Sequence, residues 1–305
     1  MEQVFVNGTF VARGEAKVSA FDAGLTHGIG LFETMSARRG PDGPEVSRLG
    51  DHLERLTTSA AQLSLSADLN QRALAEAIHR TAATALDTDR SPDRLRLRLT
   101  VTGGDLNMLT AARPTTPAQS QPNFHPTIIL DVQPATSYPD EMFEKGVRVA
   151  AADTRANPLN SFEGHKTLNY WWRLRELQVA AGRGAAEALV FSVTNHAVGG
   201  CVSNVFAVRD GTLLSPIARG EEPDGGLPSP VLPGVTRKAV FDAADAACLT
   251  ADTRMLSFED LATADELFLT NSSWGILPVV GIENRTISSG IPGEITRSLL
   301  ETLNR

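Results

Sequence analysis

The sequence predicts a two-domain α/β protein. At 305 residues, the chain exceeds the usual size of a domain with a single core. Segments with helical spacing of apolar residues alternate with segments of strand spacing, and a turn-rich stretch lies between Pro134 and Pro139. We therefore predict a smaller α/β domain over 1–132, a linker over 133–140 and a larger α/β domain over 141–305.

The smaller domain is expected to begin with a β-hairpin and two helices. Asn7-Gly8 between two short apolar runs is typical of a type I′ hairpin turn. Apolar residues four and three positions apart predict the helices. One apolar stripe contains Leu49, Leu53, Leu56, Ala60 and Leu63, and the other contains Leu74, Ile78 and Ala82.

A strand with an apolar face and a cationic face follows the two helices. Leucine and valine at 95, 97, 99 and 101 alternate with polar residues that include Arg94, Arg96 and Arg98, which is the period of a β-strand. Residues 103–126 are rich in Pro, Thr, Gln and Asn and lack periodicity. They predict a long exposed loop, a candidate lid.

In the rest of the chain, strand and helix patterns alternate. Strands are predicted near 127–132, 147–151, 188–193 and 202–208, and helices near 171–181 and 236–247. Asn195-His196 and Asp210-Gly211 are predicted to be hairpin turns.

Composition excludes several classes of function. The net charge is −8 without a basic cluster, which argues against a nucleic-acid partner. Two cysteines are too few for a disulfide framework or a four-cysteine zinc site. No apolar run reaches the roughly 18 residues needed for a membrane span, and the N-terminus lacks the features of a secretory signal. A small-molecule ligand and a cytoplasmic location are expected.

Five segments along the chain resemble the motifs of one enzyme family. Common nucleotide, metalloprotease and serine-hydrolase motifs are absent. The five segments are Phe21–Thr34, His52–Leu56, Lys166–Tyr170, Leu232–Arg237 and Thr270–Val279. Together, and in this order, they resemble the class IV aminotransferases, a family of pyridoxal-phosphate enzymes. The resemblance implies a two-domain α/β fold of that family, with the cofactor site between the domains, and a homodimer.

Lys166 matches the family lysine that forms a Schiff base with pyridoxal 5′-phosphate. An amine with this role has to be held in a partly desolvated place. The chain has four lysines and otherwise uses arginine for positive charge. For any one lysine the general alternative is a solvated surface residue, but the Lys-Thr-Leu-Asn-Tyr context favours the catalytic role.

The resemblance also implies the other cofactor-binding residues. Tyr170 matches a residue that hydrogen bonds the phenolic oxygen of the cofactor. Arg55 matches a phosphate ligand, although its place off the apolar stripe is also typical of a solvated or salt-bridged arginine. Val235 and Thr236 at a predicted helix N-terminus suit a phosphate, and Ser272 would complete that site. The alternative for Gly234-Val235-Thr236 is an ordinary helix cap.

Two residues, His27 and Phe32, match positions that line the substrate pocket in the family. On the cationic face of the predicted strand, Arg98, with Arg96 as a second candidate, could bind a substrate carboxylate through a bidentate pair. An arginine face turned toward water or toward acidic neighbours is an equally good interpretation of this strand.

One position departs from the family pattern. Family members carry a glutamate five residues before the asparagine of a Ser-Asn-x-Phe strand, where it keeps the pyridine nitrogen protonated. In Ser203-Asn204-Val205-Phe206 that position is Gly199. Removing one such electrostatic group typically costs about 10²–10³ in rate, so transamination is expected to suffer.

The leading functional prediction is transfer of an amino group between an amino acid and a 2-oxo acid. One alternative is a 4-amino-4-deoxychorismate lyase, which releases pyruvate with the same lysine; Asn271-Ser272-x-x-Gly275 followed by Pro278-Val279 somewhat favours that branch. A second alternative, motivated by Gly199, is a catalytically impaired protein of the same fold that acts as a binding or regulatory module.

Overall fold

A computed structural model describes residues 3–66, 68–86, 92–105 and 125–304. The chain forms two compact units. The first comprises Met1–Thr136 and Lys166–Asn169, and the second comprises Ser137–His165 and Tyr170–Arg305. Most of the predicted loop over 103–126 lies outside the described residues. The exact domain ranges 1–132 and 141–305 stay a prediction.

In its described residues, the first unit is built on an antiparallel sheet of six strands. Their spatial order is β2 (Thr9–Ala12), β1 (Gln3–Val6), β6 (Ile128–Pro134), β5 (Arg94–Thr102), β3 (Gly30–Gly40) and β4 (Gly43–Val46). The predicted hairpin is confirmed, because Asn7 and Gly8 have φ values of 46° and 90°, as a type I′ turn requires.

Helices α2 (Leu49–Gln62) and α3 (Gln71–Leu86) cover the apolar face of this sheet. The first unit also contains the short helix α1 (Ala23–Thr26) and a 3-10 turn over Arg13–Glu15. Both predicted helices are confirmed, and their stripes are buried against the predicted strand β5. Leu95, Leu97, Leu99 and Val101 are all buried there, which leaves the arginines on the opposite face of β5.

In its described residues, the second unit contains a sheet of nine strands. Its strands in chain order are β7 (Val147–Ala156), β8 (Glu187–Ser192), β9 (Ala197–Gly200), β10 (Asn204–Arg209), β11 (Thr212–Ser215), β12 (Ala251–Thr253), β13 (Glu266–Asn271), β14 (Gly275–Ile282) and β15 (Arg285–Thr286). The spatial order is β12-β11-β10-β13-β14-β7-β8-β9, with β15 on β14. Asn195 and Asp210 have positive φ at the predicted hairpin turns, so those turns are confirmed.

The helices of the second unit pack on this sheet. They are α4 (Asp140–Glu144), α5 (Trp171–Gly182), α6 (Val235–Ala246), α7 (Phe258–Ala262) and α8 (Glu294–Asn304). Helices α5 and α6 confirm the two predicted ones. Helix α6 packs through Val240 and Ala244 against Phe206 and Phe268 of β10 and β13, which places its N-terminus near the ends of those strands.

The segment that carries Lys166 pairs with strand β3 of the first unit. Phe32 N–H donates to the Lys166 carbonyl at 3.0 Å, and Leu168 N–H donates to the Gly30 carbonyl at 3.0 Å. A β-carbon on Gly30 would lie 2.7 Å from the Val101 carbonyl oxygen of the neighbouring strand, so this position favours glycine. The sequence prediction assigns Lys166 to the larger domain. These backbone hydrogen bonds tie residues 166–169 to the first unit, and the domain ranges themselves stay a prediction.

Candidate active site

In the first unit, Lys166 lies beside two of the predicted substrate residues. Its Nζ is 4.4 Å from the centroid of the Phe32 ring, and Arg98 Cζ is 3.9 Å from the same centroid. Phe32 is buried, whereas Lys166 and Arg98 are half-buried. Cations are attracted to aromatic faces at these distances. An amine and a guanidinium are thus held on one aromatic ring.

Arg55 makes a buried ion pair with Glu33 of strand β3. Its Nε donates to Glu33 Oε1 at 2.8 Å, and its Nη2 donates to Oε2 at 2.5 Å. The Nδ1 of His52, one turn before Arg55 on α2, lies 2.7 Å from the same Oε2. The salt-bridged alternative for Arg55 therefore holds within the first unit, while its phosphate role stays a prediction.

The pKa shifts of this network define its protonation state. Burial opposes ionisation of Glu33, but the charge of Arg55 and the hydrogen bonds from His52 and Arg55 outweigh it and lower the pKa of that carboxyl to about 2. Burial lowers the pKa of His52, despite its hydrogen bond to Glu33. Glu33 is therefore a carboxylate, and a neutral His52 donates its Nδ1–H to it.

The residue before Lys166 is anchored in the second unit. Arg219 donates from Nε to His165 Nε2 at 2.9 Å and from Nη2 to the Ser161 carbonyl at 2.8 Å. Burial and the charge of Arg219 lower the pKa of His165 to about 4. His165 is consequently neutral near pH 7, and its Nε2 accepts the arginine hydrogen bond. This contact fixes the chain next to the Lys166 segment.

Also in the second unit, helix α6 begins at the predicted phosphate residues Val235 and Thr236. Gly234 is the N-cap residue, and a β-carbon at that position would collide with the side-chain oxygen of Asn204. Asn204 Nδ2 donates to the Leu232 carbonyl at 2.8 Å. Asn204 thus holds the segment before α6 against strand β10. The first N–H groups of helix α6 come immediately after this segment in the chain.

The turn between β13 and β14 carries the predicted residue Ser272. Asn271 Oδ1 accepts from the N–H groups of Ser273 and Trp274 at 2.9 and 3.0 Å. Just before the turn, Thr270 pairs with Asn204 across the two strands, so both side chains lie on the same face of the sheet. Thr270 is 1% exposed, and its Oγ1 has no hydrogen-bond partner among the described residues. An unsatisfied hydroxyl therefore lies beside the asparagine that contacts the start of α6.

The buried side chain of Glu187 accepts hydrogen bonds from the segment that follows β9. Its Oε1 accepts from the N–H groups of Ala188 and Cys201 at 2.9 and 3.2 Å. Its Oε2 accepts from the Val202 N–H at 3.3 Å and the Ser203 hydroxyl at 3.1 Å. The side chain is completely buried, and this burial raises the pKa of its carboxyl, although the hydrogen bonds oppose the rise. The carboxyl is thus engaged by Ala188 and by residues 201–203.

The backbone at Gly199 requires glycine. Its φ is +144°, and a β-carbon there would lie 2.6 Å from the Ser203 carbonyl oxygen. A residue with a side chain would be strained in this conformation. A glutamate at position 199 is therefore incompatible with this local backbone.

The two other predicted site residues have separate surroundings. Tyr170 is the N-cap residue of α5, with Arg173 Cζ 5.9 Å from its ring centroid. His27 is exposed at the C-terminal end of α1, where its Nδ1 lies 2.7 Å from Thr26 Oγ1. The roles of both residues stay predictions.

Each unit, taken by itself, carries donor groups that suit a part of pyridoxal phosphate. In the first unit, the Lys166 amine is the kind of group that combines with an aldehyde, and the Arg55 guanidinium suits a phosphate. In the second unit, the N-terminal N–H groups of α6 and the unsatisfied Thr270 hydroxyl also suit a phosphate. Gly199 offers no carboxylate. Among the described residues, no cluster of three or more His, Cys, Asp or Glu could bind a metal ion, and no helix is long and apolar enough to cross a bilayer.

Comparison with known proteins identifies the family. The profile of the Amino-transferase class IV family matches residues 30–282. A putative branched-chain-amino-acid aminotransferase of Methanocaldococcus jannaschii is 30% identical over 300 residues, which cover 98% of this chain and 94% of the relative. The branched-chain amino acid aminotransferase of Escherichia coli superposes with a TM-score of 0.83 at 25% identity, covering 99% and 93% of the two chains. The 4-amino-4-deoxychorismate lyase of Pseudomonas aeruginosa gives 0.77 at 30% identity, covering 99% and 98%.

The chain belongs to the class IV aminotransferase family. The predicted α/β fold and the predicted class of pyridoxal-phosphate-dependent enzyme are confirmed, and one similar branched-chain aminotransferase structure contains pyridoxamine 5′-phosphate. Sequence reasoning gave no roles to Glu33, His52 or Asn271, although all three lie within the five motif segments. Their partners are distant in sequence or belong to the backbone, and residue spacing does not reveal such partners.

Proposed function

We propose that the protein transfers an amino group between an amino acid and a 2-oxo acid, with pyridoxal 5′-phosphate bound to Lys166. The observation that carries this proposal is the placement of the Lys166 amine and the Arg98 guanidinium on the Phe32 ring. An amine for the cofactor and a guanidinium for a carboxylate are the two groups that an amino-acid substrate requires.

Each proposed residue has a distinct task. When bound, the cofactor supplies a carbonyl carbon for the amino group and a conjugated ring that delocalises electrons. Lys166 Nζ holds and moves the proton of the substrate Cα. Arg98 binds the substrate carboxylate and Phe32 orients both cations, while His27 contacts the substrate. Phosphate binding is assigned to Arg55, Val235, Thr236 and Ser272, and Tyr170 hydrogen bonds the phenolic oxygen.

Lyase chemistry is the second candidate. The Pseudomonas aeruginosa lyase resembles this chain over nearly its full length, and the glycine at position 199 removes a carboxylate that transamination is expected to use. Elimination of pyruvate by the same lysine would rely less on that carboxylate.

A product assay separates these functions. Purified protein with added pyridoxal phosphate is incubated with L-branched-chain amino acids, D-alanine or L-glutamate, each with and without a 2-oxo acid. We expect a new amino acid that forms only when donor and acceptor are both present. Pyruvate released from 4-amino-4-deoxychorismate alone would instead assign the lyase reaction. Absence of both products would favour a binding module.

We also propose that the protein is a homodimer and that it is cytoplasmic. Large apolar side chains are exposed on each unit, with Phe21 and Leu25 at 78% and 71% on the first and Leu159 and Trp171 at 74% and 87% on the second. Contiguous exposed apolar patches mark protein interfaces, and the proposal takes these side chains to be part of such a patch. Light scattering is expected to give twice the chain mass of 32.6 kDa, and a monomer mass would contradict the dimer.

A further inference from the structure

The buried carboxylate of Glu33 has no part in the roles assigned so far. It lies on β3 directly after Phe32, is 1% exposed, and accepts from Arg55 and His52 of helix α2. We propose that Glu33 is a positioning residue that holds the Arg55 guanidinium in the orientation needed to bind the cofactor phosphate. This inference rests on the proposed function, because it assumes that Arg55 meets that phosphate.

The geometry of the pair supports an orienting role. A guanidinium is planar and carries five N–H donors in a fixed arrangement. Glu33 accepts from Nε and Nη2, along one side of the group. Two parallel hydrogen bonds of this kind define both the plane and the direction of the guanidinium. The carboxylate of Glu33 therefore sets the direction in which the Nη1 and Nη2 end of the Arg55 guanidinium points.

Glu33 is itself held by contacts other than the one with Arg55. Strand β3 pairs with β5, and Glu33 lies opposite buried Leu99 in that register. The Nδ1–H of neutral His52 donates to Oε2, the same oxygen that accepts from Arg55 Nη2. Strand pairing and the hydrogen bond from His52 hold the carboxylate beside Arg55 independently of the guanidinium.

The electrostatic effect of Glu33 on phosphate binding has the opposite sign. A carboxylate beside Arg55 offsets the positive charge that attracts a phosphate dianion. If Glu33 acted only as a negative charge that offsets Arg55, removing that charge would increase the affinity for the phosphate. If Glu33 positions Arg55, removing the charge decreases the affinity. The direction of the change therefore separates the two roles.

The experiment measures the dissociation constant of pyridoxal phosphate for the cofactor-free full-length protein. Glu33→Gln removes the charge, and Glu33→Asp keeps the charge but withdraws the carboxylate by one methylene. We expect both variants to bind pyridoxal phosphate roughly 10- to 100-fold more weakly, the usual cost of losing a group that orients a ligand-binding residue. Excess pyridoxal phosphate is expected to restore at least part of the turnover.

Two controls make the result specific. Glu45→Gln breaks a surface ion pair with Arg38 in the same unit and should leave the dissociation constant within about twofold of the wild type, as expected for an exposed pair. In the Arg55→Met background, Glu33→Gln should have little further effect on cofactor binding, because there is no guanidinium left to orient. Glu33→Asp carries the test if Glu33→Gln is too unstable to purify.

Three outcomes would overturn the proposal. They are unchanged or tighter binding by Glu33→Gln, unchanged binding by Glu33→Asp, and fully additive effects of Glu33→Gln and Arg55→Met. Failure of the wild type to bind pyridoxal phosphate is distinguishable from all three, because it would contradict the proposed function itself.

Discussion

Replacement of Lys166 by alanine is expected to reduce turnover roughly 10⁴-fold or more, because it removes both the amine that binds the cofactor and the group that moves the substrate proton. The fold should persist, since the hydrogen bonds that join residues 166–169 to strand β3 come from the backbone. Steady-state rates with saturating pyridoxal phosphate, together with the denaturation midpoint, test both expectations.

Lys145→Ala is the matched control for Lys166. Lys145 has a side-chain exposure of 72% and makes an ion pair with Glu141 at the surface, so its removal should leave turnover unchanged. Equal activity of Lys166→Ala and wild type would exclude Lys166 from the reaction.

Replacement of Glu187 by alanine is expected to lower the free energy of unfolding by about 3 kcal/mol or more, since buried donors left without an acceptor each cost about 1–3 kcal/mol. The Val202 N–H and the Ser203 hydroxyl would lose their contact with the carboxyl. Chemical denaturation of wild type and variant measures the difference.

The control for Glu187 is a surface glutamate. Glu141→Ala removes an exposed ion pair, and such pairs contribute little to the free energy of unfolding. Equal midpoints for Glu187→Ala and Glu141→Ala would show that the carboxyl does not hold residues 201–203 in place.

Local structure could be predicted where a short stretch of sequence determines it. Asn7-Gly8 adopts the backbone that the dipeptide favours. The stripes of α2 and α3 and the alternation of β5 predict which side chains are buried, because period alone sets the face of a helix or strand.

Pairings between distant residues could not be predicted in this way. Glu33 and Arg55 are 22 positions apart on different elements, and the Asn204–Leu232 contact joins a strand to a loop. A periodic pattern shows which face is buried but not which element covers it. The pairing of residues 166–169 with β3 could not be predicted for the same reason. It is made by backbone hydrogen bonds, and these do not affect the spacing of apolar side chains.

Gly199 illustrates how structure refines a sequence observation. The sequence shows only that a glycine stands where the family pattern has a glutamate. The positive φ and the nearby Ser203 carbonyl show that the local backbone itself requires glycine. Position 199 therefore supplies no carboxylate, and the nearby carboxyl of Glu187 is engaged by residues 201–203.

The most direct test of the central claim is to identify the residue that binds pyridoxal phosphate. The protein is mixed with the cofactor, its visible absorption spectrum is recorded, and the adduct is reduced with borohydride and located by peptide mass spectrometry. We expect a new absorption band that is absent from Lys166→Ala, and a phosphopyridoxyl group on the peptide that contains Lys166. No band, or a label on another lysine, would contradict the claim.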